Sequence, residues 1–307
     1  MRCVRCRAKP EVYLRAHNAA FCRACYIPWF QRQVERTLTS GRMCTRDDQV
    51  LVAVSGGKDS LALWDALVTL GYRTSGLHVA QGIGGYSATS REKVERFARD
   101  RGLPLLVHDL ADEGLAIPEV ASTTRRAPCS ACGTLKRYAF DRVAHVHGFA
   151  ILATGHNLDD EAARLLGNLL RWQTTHLARQ RPVLDPRHPT QVRKIRPLVL
   201  VSEYETAAYA FLRGIDYVVE ECPYAEGATQ LLYKEALDRI EAGSPGTKLA
   251  FVREFFRSAQ PLFAASEPAD GAPPRSCTRC GMPAFDELCA HCRLLRVLAP
   301  AGGPSAA

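Results

Sequence analysis

The clearest hydrophobic pattern in the chain is the run Gln49-Val50-Leu51-Val52-Ala53-Val54, apolar after its first residue and β-branched at every second position. Such a run predicts a strand buried on both faces. Ser55-Gly56-Gly57-Lys58-Asp59-Ser60 interrupts it, and Leu61 to Leu67 then reads as a helix. The alternation repeats downstream. Thr74 to Val79, Leu103 to Leu110 and Phe149 to Thr154 predict strands, while Arg91 to Arg101 and Lys136 to His147 predict helices. Gly155-His156-Asn157-Leu158-Asp159-Asp160-Glu161 opens a helix running to Leu170. Upstream, Trp29 to Arg42 predicts a linking helix with Phe30, Val34 and Leu38 on one stripe. Regular strand–helix alternation predicts an α/β fold with a doubly wound parallel sheet, whose ligands bind at the C-terminal strand ends.

With 307 residues the chain has room for one large core and small accessory modules. The expected organisation is an N-terminal four-cysteine module at 1–28, a central domain at 29–260, a linker at 261–275, a C-terminal four-cysteine ribbon at 276–296 and a disordered tail at 297–307. Residues Leu262 to Arg275, rich in Ala and Pro, carry the linker reading. No apolar run approaches the roughly 20 residues of a membrane span. The polar residues Arg2, Cys3, Arg5 and Cys6 stand where a signal peptide would be apolar. A cytoplasmic location is therefore expected, with no membrane partner.

Twelve cysteines are the strongest departure from ordinary composition. In a reducing compartment grouped thiols point to metals or catalysis rather than disulfides. Cys3-x2-Cys6 with Cys22-x2-Cys25, and Cys277-x2-Cys280 with Cys289-x2-Cys292, have the spacing of tetrahedral zinc sites. Four protein thiolates close the shell, so both sites read as structural, with Zn2+ supplying folding free energy that such short segments lack. An iron–sulfur cluster at either place is the alternative. Cys44 stands outside every group and reads as a packing residue.

The glycines of Ser55 to Ser60 allow backbone N–H groups to approach a ligand, and the following helix adds its positive end, which makes an anion site. An ordinary Gly-containing β–α turn is the plainer alternative. Asp159, Asp160 and Glu161 either cap their helix or, through Asp160, hold Mg2+ against phosphates or polarise an acceptor. His78 faces a bound adenosine or is a satisfied core histidine. Cys129-Ser130-Ala131-Cys132, expected just before a helix carrying Lys136 and Arg137, and Cys222 make a third group that lacks a fourth ligand. Three thiols suit a cluster with one iron open, or persulfide chemistry at a CxxC pair; the plain alternative is two surface cysteines and one core cysteine. Arg125, Arg126, Lys136 and Arg137 would favour thiolates.

Ser-Gly-Gly-Lys-Asp-Ser resembles the pyrophosphate-binding loop of enzymes that attack the α-phosphate of ATP. Together with Cys-Ser-Ala-Cys-Gly, Thr-Gly-His-Asn-Leu-Asp-Asp-Glu, Glu-Glu-Cys-Pro and the two terminal cysteine sets, it makes nearly the whole chain resemble the tRNA 2-thiolation family of pyrophosphate-loop ATPases. Leu231 to Leu237 and Asn168-Leu169-Leu170 resemble most the bacterial members that act on 5-methyluridine. The resemblance implies that Ser55, Gly56, Gly57, Lys58, Asp59 and Ser60 bind ATP, with Ala53, His78, Lys136 and Gly155 beside the nucleotide. It implies adenylation of the uracil O2 and displacement of AMP by sulfur. Cys129, Cys132 and Cys222 would hold a 4Fe-4S cluster that carries the sulfide, with Lys136 and Asp160 flanking the reacting groups and Asp59 managing the phosphates. A ubiquitin-like carrier with a C-terminal thiocarboxylate would deliver sulfur, and dimerisation is a family expectation. In the rival chemistry Cys129 or Cys222 carries a persulfide directly.

The target is the T-loop 5-methyluridine or, alternatively, the anticodon wobble uridine. Lysidine-type modification shares the loop but needs no cysteine triad. A non-catalytic zinc-dependent RNA-binding protein is a different class, against which the set Lys58, Asp59 and Asp160 speaks. Forty basic against 32 acidic residues leave a net charge of +8, a balance that suits an RNA partner. Arg171, Arg179, Arg181, Arg187, Arg193, Lys194 and Arg196, with only Asp185 among them, predict an irregular basic insertion able to follow an RNA backbone.

Overall fold

The computed structural model describes residues 1–225, 227, 229–266 and 273–298. At the N-terminus β1 (Val12–Leu14) and β2 (Ala19–Phe21) form a hairpin, and α1 (Arg23–Ser40) follows. The helix expected from Trp29 thus begins at Arg23, inside the N-terminal cysteine module. Phe21, Tyr26 and Trp29 pack ring against ring, and the Tyr26 hydroxyl donates to the Glu205 carbonyl at 2.7 Å. The module therefore shares the main core.

That core is organised by β3 (Gln49–Ala53), with α2 (Lys58–Thr69), β4 (Arg73–Ala80), α3 (Gly84–Arg101) and β5 (Leu105–Asp109) after it. Then come α4 (Ile117–Thr124), α5 (Pro128–Val146), β6 (Ile151–Thr154), α6 (Leu158–Leu170), α7 (Thr174–Arg179), β7 (Val183–Leu184) and β8 (Arg193–Ile195). The six strands run in the order β5-β4-β3-β6-β8-β7, all parallel except β7. Alternate side chains feed two cores. Val50 and Val52 join the side covered by α1, α2 and α3, while Leu51 and Ala53 face α4 and α5. Double burial accounts for the uninterrupted apolar run of β3. Strand order reverses between β3 and β6, so the loops after these two strands meet where doubly wound sheets bind ligands.

Beyond the sheet lie α8 (Glu203–Arg213), α9 (Thr229–Gly243), α10 (Thr247–Glu254), a π-turn over Phe255–Ala259 and α11 (Gln260–Ser266). A short ribbon of β9 (Arg275–Ser276) and β10 (Pro283–Ala284) leads to α12 (Ala290–Leu298). Four expectations change. The stretch 261–266 is helical rather than linker, residues 267–272 of that linker lie outside the described residues, and 297–298 end a helix, leaving only 299–307 of the expected tail, also outside them. Cys129 and Cys132 lie inside α5 instead of before it, because Pro128 starts the helix. The basic insertion is ordered as α7, β7 and β8, and Arg196 and Lys194 are spent on Glu161 (2.9 Å) and Asp141 (2.6 Å).

Asp65, only 2% exposed, holds α2 to α8 by accepting from Tyr209 (2.8 Å) and Arg213 (2.8 Å), with Arg101 at 3.2 Å. Burial alone would raise its carboxyl, but the hydrogen bonds from Arg213 and Tyr209 outweigh it and lower the value below the ordinary 3.8. A carboxylate lowered in the folded state adds stability above its ordinary value and loses it as pH falls through the lower folded value. Asp65→Ala should cost about 2–3 kcal/mol in denaturant titrations near neutrality, less than a fully buried pair because both arginines reach solvent. The variant's deficit should shrink towards the bottom of the acid range.

Candidate active site

The loop after β3 is built to bring backbone to an anion. Gly56 has φ +85°, and a Cβ there would lie 2.8 Å from the Ser90 carbonyl oxygen, so this turn admits only glycine. Gly57 caps α2 without any side-chain hydrogen bond to the helix, which leaves first-turn N–H groups for a ligand. The Ser60 hydroxyl fixes the turn by accepting from Ser55 N at 3.1 Å and donating to the Gly57 carbonyl at 3.0 Å.

The loop after β6 meets it from the neighbouring strand. A Cβ on Gly155 would sit 2.9 Å from the Ser60 backbone, so this glycine lets the starts of α6 and α2 touch. Asn157 caps α6 through a capping box with Asp160, and its amide donates to Asp59 Oδ1 at 3.2 Å. The capping reading of the acidic cluster therefore holds geometrically for Asp160, while Asp159 takes the Glu203 N–H at 2.7 Å and pairs with buried Lys248.

Around this junction the charged groups close a ring. Lys58 Nζ reaches Asp59 at 3.2 Å and Glu203 at 2.6 Å; the second Glu203 oxygen takes Lys234 at 3.1 Å; Lys234 grips Asp160 at 2.7 Å. Asp160 returns through Asn157 to Asp59. Three carboxylates against two ammonium groups leave one net negative charge. Burial works against the Lys58 ammonium, yet Asp59 and Glu203 hold its value above normal. Burial pushes the Asp59 carboxyl up, against the pull of Lys58 and Asn157.

His78, on β4 and 3% exposed, has Nδ1 at 2.9 Å from the Val54 carbonyl, which can only accept. Nδ1 therefore carries the proton and Nε2 is an acceptor, buried without a partner among the described residues. Burial lowers its pKa, keeping the ring neutral. Ala53 ends β3 in register with Thr154.

The middle cysteines assemble at the same edge of the sheet. Cys132 Sγ lies 3.5 Å from Gln81, just past β4, and Cys129 Sγ donates to the Tyr224 carbonyl at 3.1 Å. Burial raises the Cys132 thiol, Lys136 opposes that rise, and both Cys222 and Cys129 are near enough to add to it. Val218, shortly before Cys222, donates to the Gly56 carbonyl at 2.9 Å, tying the Cys222 segment to the anion loop. These three thiols are not drawn around a point as the terminal sets are.

In each terminal set, Cys3, Cys6, Cys22 and Cys25 or Cys277, Cys280, Cys289 and Cys292, all sulfurs lie within 4.8 Å of one another. Cys6 and Cys22 approach to 3.5 Å, and Cys280 and Cys289 to 3.6 Å. A tetrahedral ion with metal–sulfur bonds of about 2.3 Å spaces its thiolates by about 3.8 Å, so both sets fit zinc. Cys44 is half-buried against the core, and burial raises its thiol to about 11.

A parallel sheet with an anion loop at its reversal point defines a nucleotide-binding α/β protein, and a profile for the PP-loop domain matches residues 28–226. The tRNA-5-methyluridine(54) 2-sulfurtransferase of Thermus thermophilus is 48% identical over 96% of this chain and 91% of its own length. The enzyme of the same name from Pyrococcus horikoshii is 41% identical, covering 95% and 93%. Among solved structures, the U34-tRNA thiolase NcsA of Methanococcus maripaludis, determined with its 4Fe-4S cluster, superposes with a TM-score of 0.80 at 26% identity over 95% of both chains. The chain belongs to the tRNA 2-thiolation family of PP-loop ATPases.

Glu203, Lys234 and Asn157 complete the site without belonging to the loop motif. Asn157 lies just before an apolar helical stretch, where an Asn signals a helix cap; Lys234 lies within the Leu231 to Leu237 run, but nothing in the sequence around it or around Glu203 brings either to Lys58. Gly155→Ala should force α2 and α6 apart, costing about 1–3 kcal/mol. ATP affinity should fall with it, as measured by thermal unfolding and nucleotide titration.

Proposed function

We propose that this protein is an ATP-dependent tRNA 2-thiolation enzyme acting on 5-methyluridine at position 54, the activity named for its relatives from Thermus and Pyrococcus. The observation that carries the reading is the third thiol group, Cys129, Cys132 and Cys222 with Lys136, tied to the anion loop through Val218. A nucleotide loop alone would suit many acceptors; a cysteine triad beside it suits sulfur transfer.

The loop Ser55 to Ser60 binds the ATP phosphates, with Ala53, His78 and Gly155 around the adenosine, Lys58 and Asp59 managing the phosphates and Asp160 as the carboxylate that would hold Mg2+, which would neutralise phosphate charge. The uracil O2 attacks the α-phosphorus, pyrophosphate leaves, and the C2–O bond becomes one that AMP can depart from. Sulfur then forms the C2–S bond as the C2–O bond breaks, and AMP leaves with the oxygen. Lys136 stabilises negative charge as it shifts onto the leaving oxygen. Cys129, Cys132 and Cys222 fit an iron–sulfur cluster by donor chemistry, three thiols beside a cation; a 4Fe-4S cluster held there would supply sulfide at the iron without a cysteine. Two Zn2+ ions would close the terminal sets and stabilise their folding.

Exposed Arg171, Arg179 and Arg181 offer phosphate contacts to the tRNA. A ubiquitin-like carrier with a C-terminal thiocarboxylate would bring sulfur, the protein would act in the cytoplasm, and two copies would pair. The module at 1–28 would serve as a brace for the domain at 29–260, and the ribbon at 276–296 likewise. The wobble uridine is the second reading, favoured by the likeness to the U34-tRNA thiolase.

Mass spectrometry of tRNA nucleosides from a strain lacking the protein tests both. Loss of 5-methyl-2-thiouridine supports the T-loop reading, loss of wobble 2-thiouridine moves the target, and persistence of both overturns tRNA thiolation. Cys222→Ala should abolish thiolation while ATP binding survives, and metal analysis of the wild type should find two zinc ions per chain.

A further inference from the structure

Lys58 opens α2 where a bound phosphate would lie, yet its ammonium is already taken by Glu203 at 2.6 Å. The other oxygen of the same carboxylate takes Lys234 at 3.1 Å. Glu203 thus spans two cations with two oxygens, the arrangement a phosphate group would offer them. It is the first residue of α8, its N–H fixed by Asp159 at 2.7 Å. Its side chain is 38% exposed, against 22% for each lysine. The carboxylate can turn outward into water while the lysines stay at the loop. Lys234 is anchored independently on Asp160 at 2.7 Å, so it keeps its place when Glu203 leaves.

We propose that Glu203 is a phosphate mimic that competes with ATP for Lys58 and Lys234, and that Lys234 is a second phosphate-binding cation of the site. The proposal rests on the nucleotide reading of the Ser55 to Ser60 loop and is independent of which uridine is modified. A carboxylate beside an anion site would ordinarily weaken anion binding by repulsion. Here it also occupies the two groups that must receive the anion, so its removal should tighten binding. A merely bracing Glu203 predicts the reverse, because its loss would leave Lys58 less firmly held at the loop.

The test is ATP titration of the full-length protein by calorimetry in the absence of tRNA, with thermal unfolding as the control for folding. Glu203→Gln should lower the ATP dissociation constant about two- to fivefold, the range of a partly exposed ion pair. Glu203→Asp, too short to span both lysines, should shift it the same way and serves if the glutamine variant folds poorly. Lys234→Met should raise the constant about tenfold and Lys234→Arg should recover most of that loss. Weaker or unchanged ATP binding in folded Glu203→Gln and Glu203→Asp overturns the proposal, as does normal binding in Lys234→Met. If wild type fails to bind ATP, the loop reading fails and the proposal with it. Loss of tRNA thiolation with ATP binding intact touches only the function.

Discussion

The contact between Gly155 and the Ser60 backbone sets the geometry on which the site depends. Two helices, α2 and α6, begin at adjacent parallel strands, and with hydrogen in place of a Cβ their first turns touch. Two helix N-termini at one point concentrate positive backbone potential. That potential makes tolerable the gathering of Asp59, Asp160 and Glu203, itself at the start of α8, in a half-buried junction. Lys58 and Lys234 supply the remaining compensation. The same convergence suits a polyphosphate, whose oxygens would find both amide donors and ammonium groups already in position. Pre-placed dipoles and charges lower the reorganisation that binding and reaction would otherwise require.

Electrostatic economy extends away from the junction. Glu161, fully buried on α6, is answered by Arg196 at 2.9 Å and by the Gln180 amide at 3.2 Å. Lys248 bridges Asp159 and Asp238, so α10 is fastened to the start of α6. The ion pairs thus fix the elements that frame the site. They do not need to add much net stability to do so, since a buried pair chiefly penalises arrangements that leave one charge alone.

Much of this was legible in the sequence. The continuous apolar β3 run, the glycines behind it and the spacings of the two terminal cysteine sets each report a local physical demand, met by a doubly buried strand, a tight turn and two four-sulfur groups. The start of α5 was legible too, since Pro128 suits a first helical turn; the expectation that Cys129-Ser130-Ala131-Cys132 only precedes the helix passes over that signal. Glu203 and Lys234 were hidden for another reason. Each sits in an amphipathic helix among other charged residues, and only the folded topology shows which of them meets Lys58. The basic insertion misled in the same way. Its composition predicted an irregular basic stretch, but Arg196 and Lys194 find their acids in Glu161 and Asp141, outside the segment itself.

The terminal modules do more than hang from the ends. Tyr138 of α5 stacks on His291 with centroids 3.7 Å apart, Leu294 enters the core beside α4 and α5, and His188 meets Ser276 at 3.0 Å. The ribbon therefore clamps the helix whose first two turns carry Cys129 and Cys132. At the other end the aromatic cluster of Phe21, Tyr26 and Trp29 rests on the Glu205 turn of α8, the helix that begins with Glu203. Each short module, with its four sulfurs gathered at one point, thus packs behind one half of the site: the ribbon behind the thiols, the N-terminal module behind the charged ring.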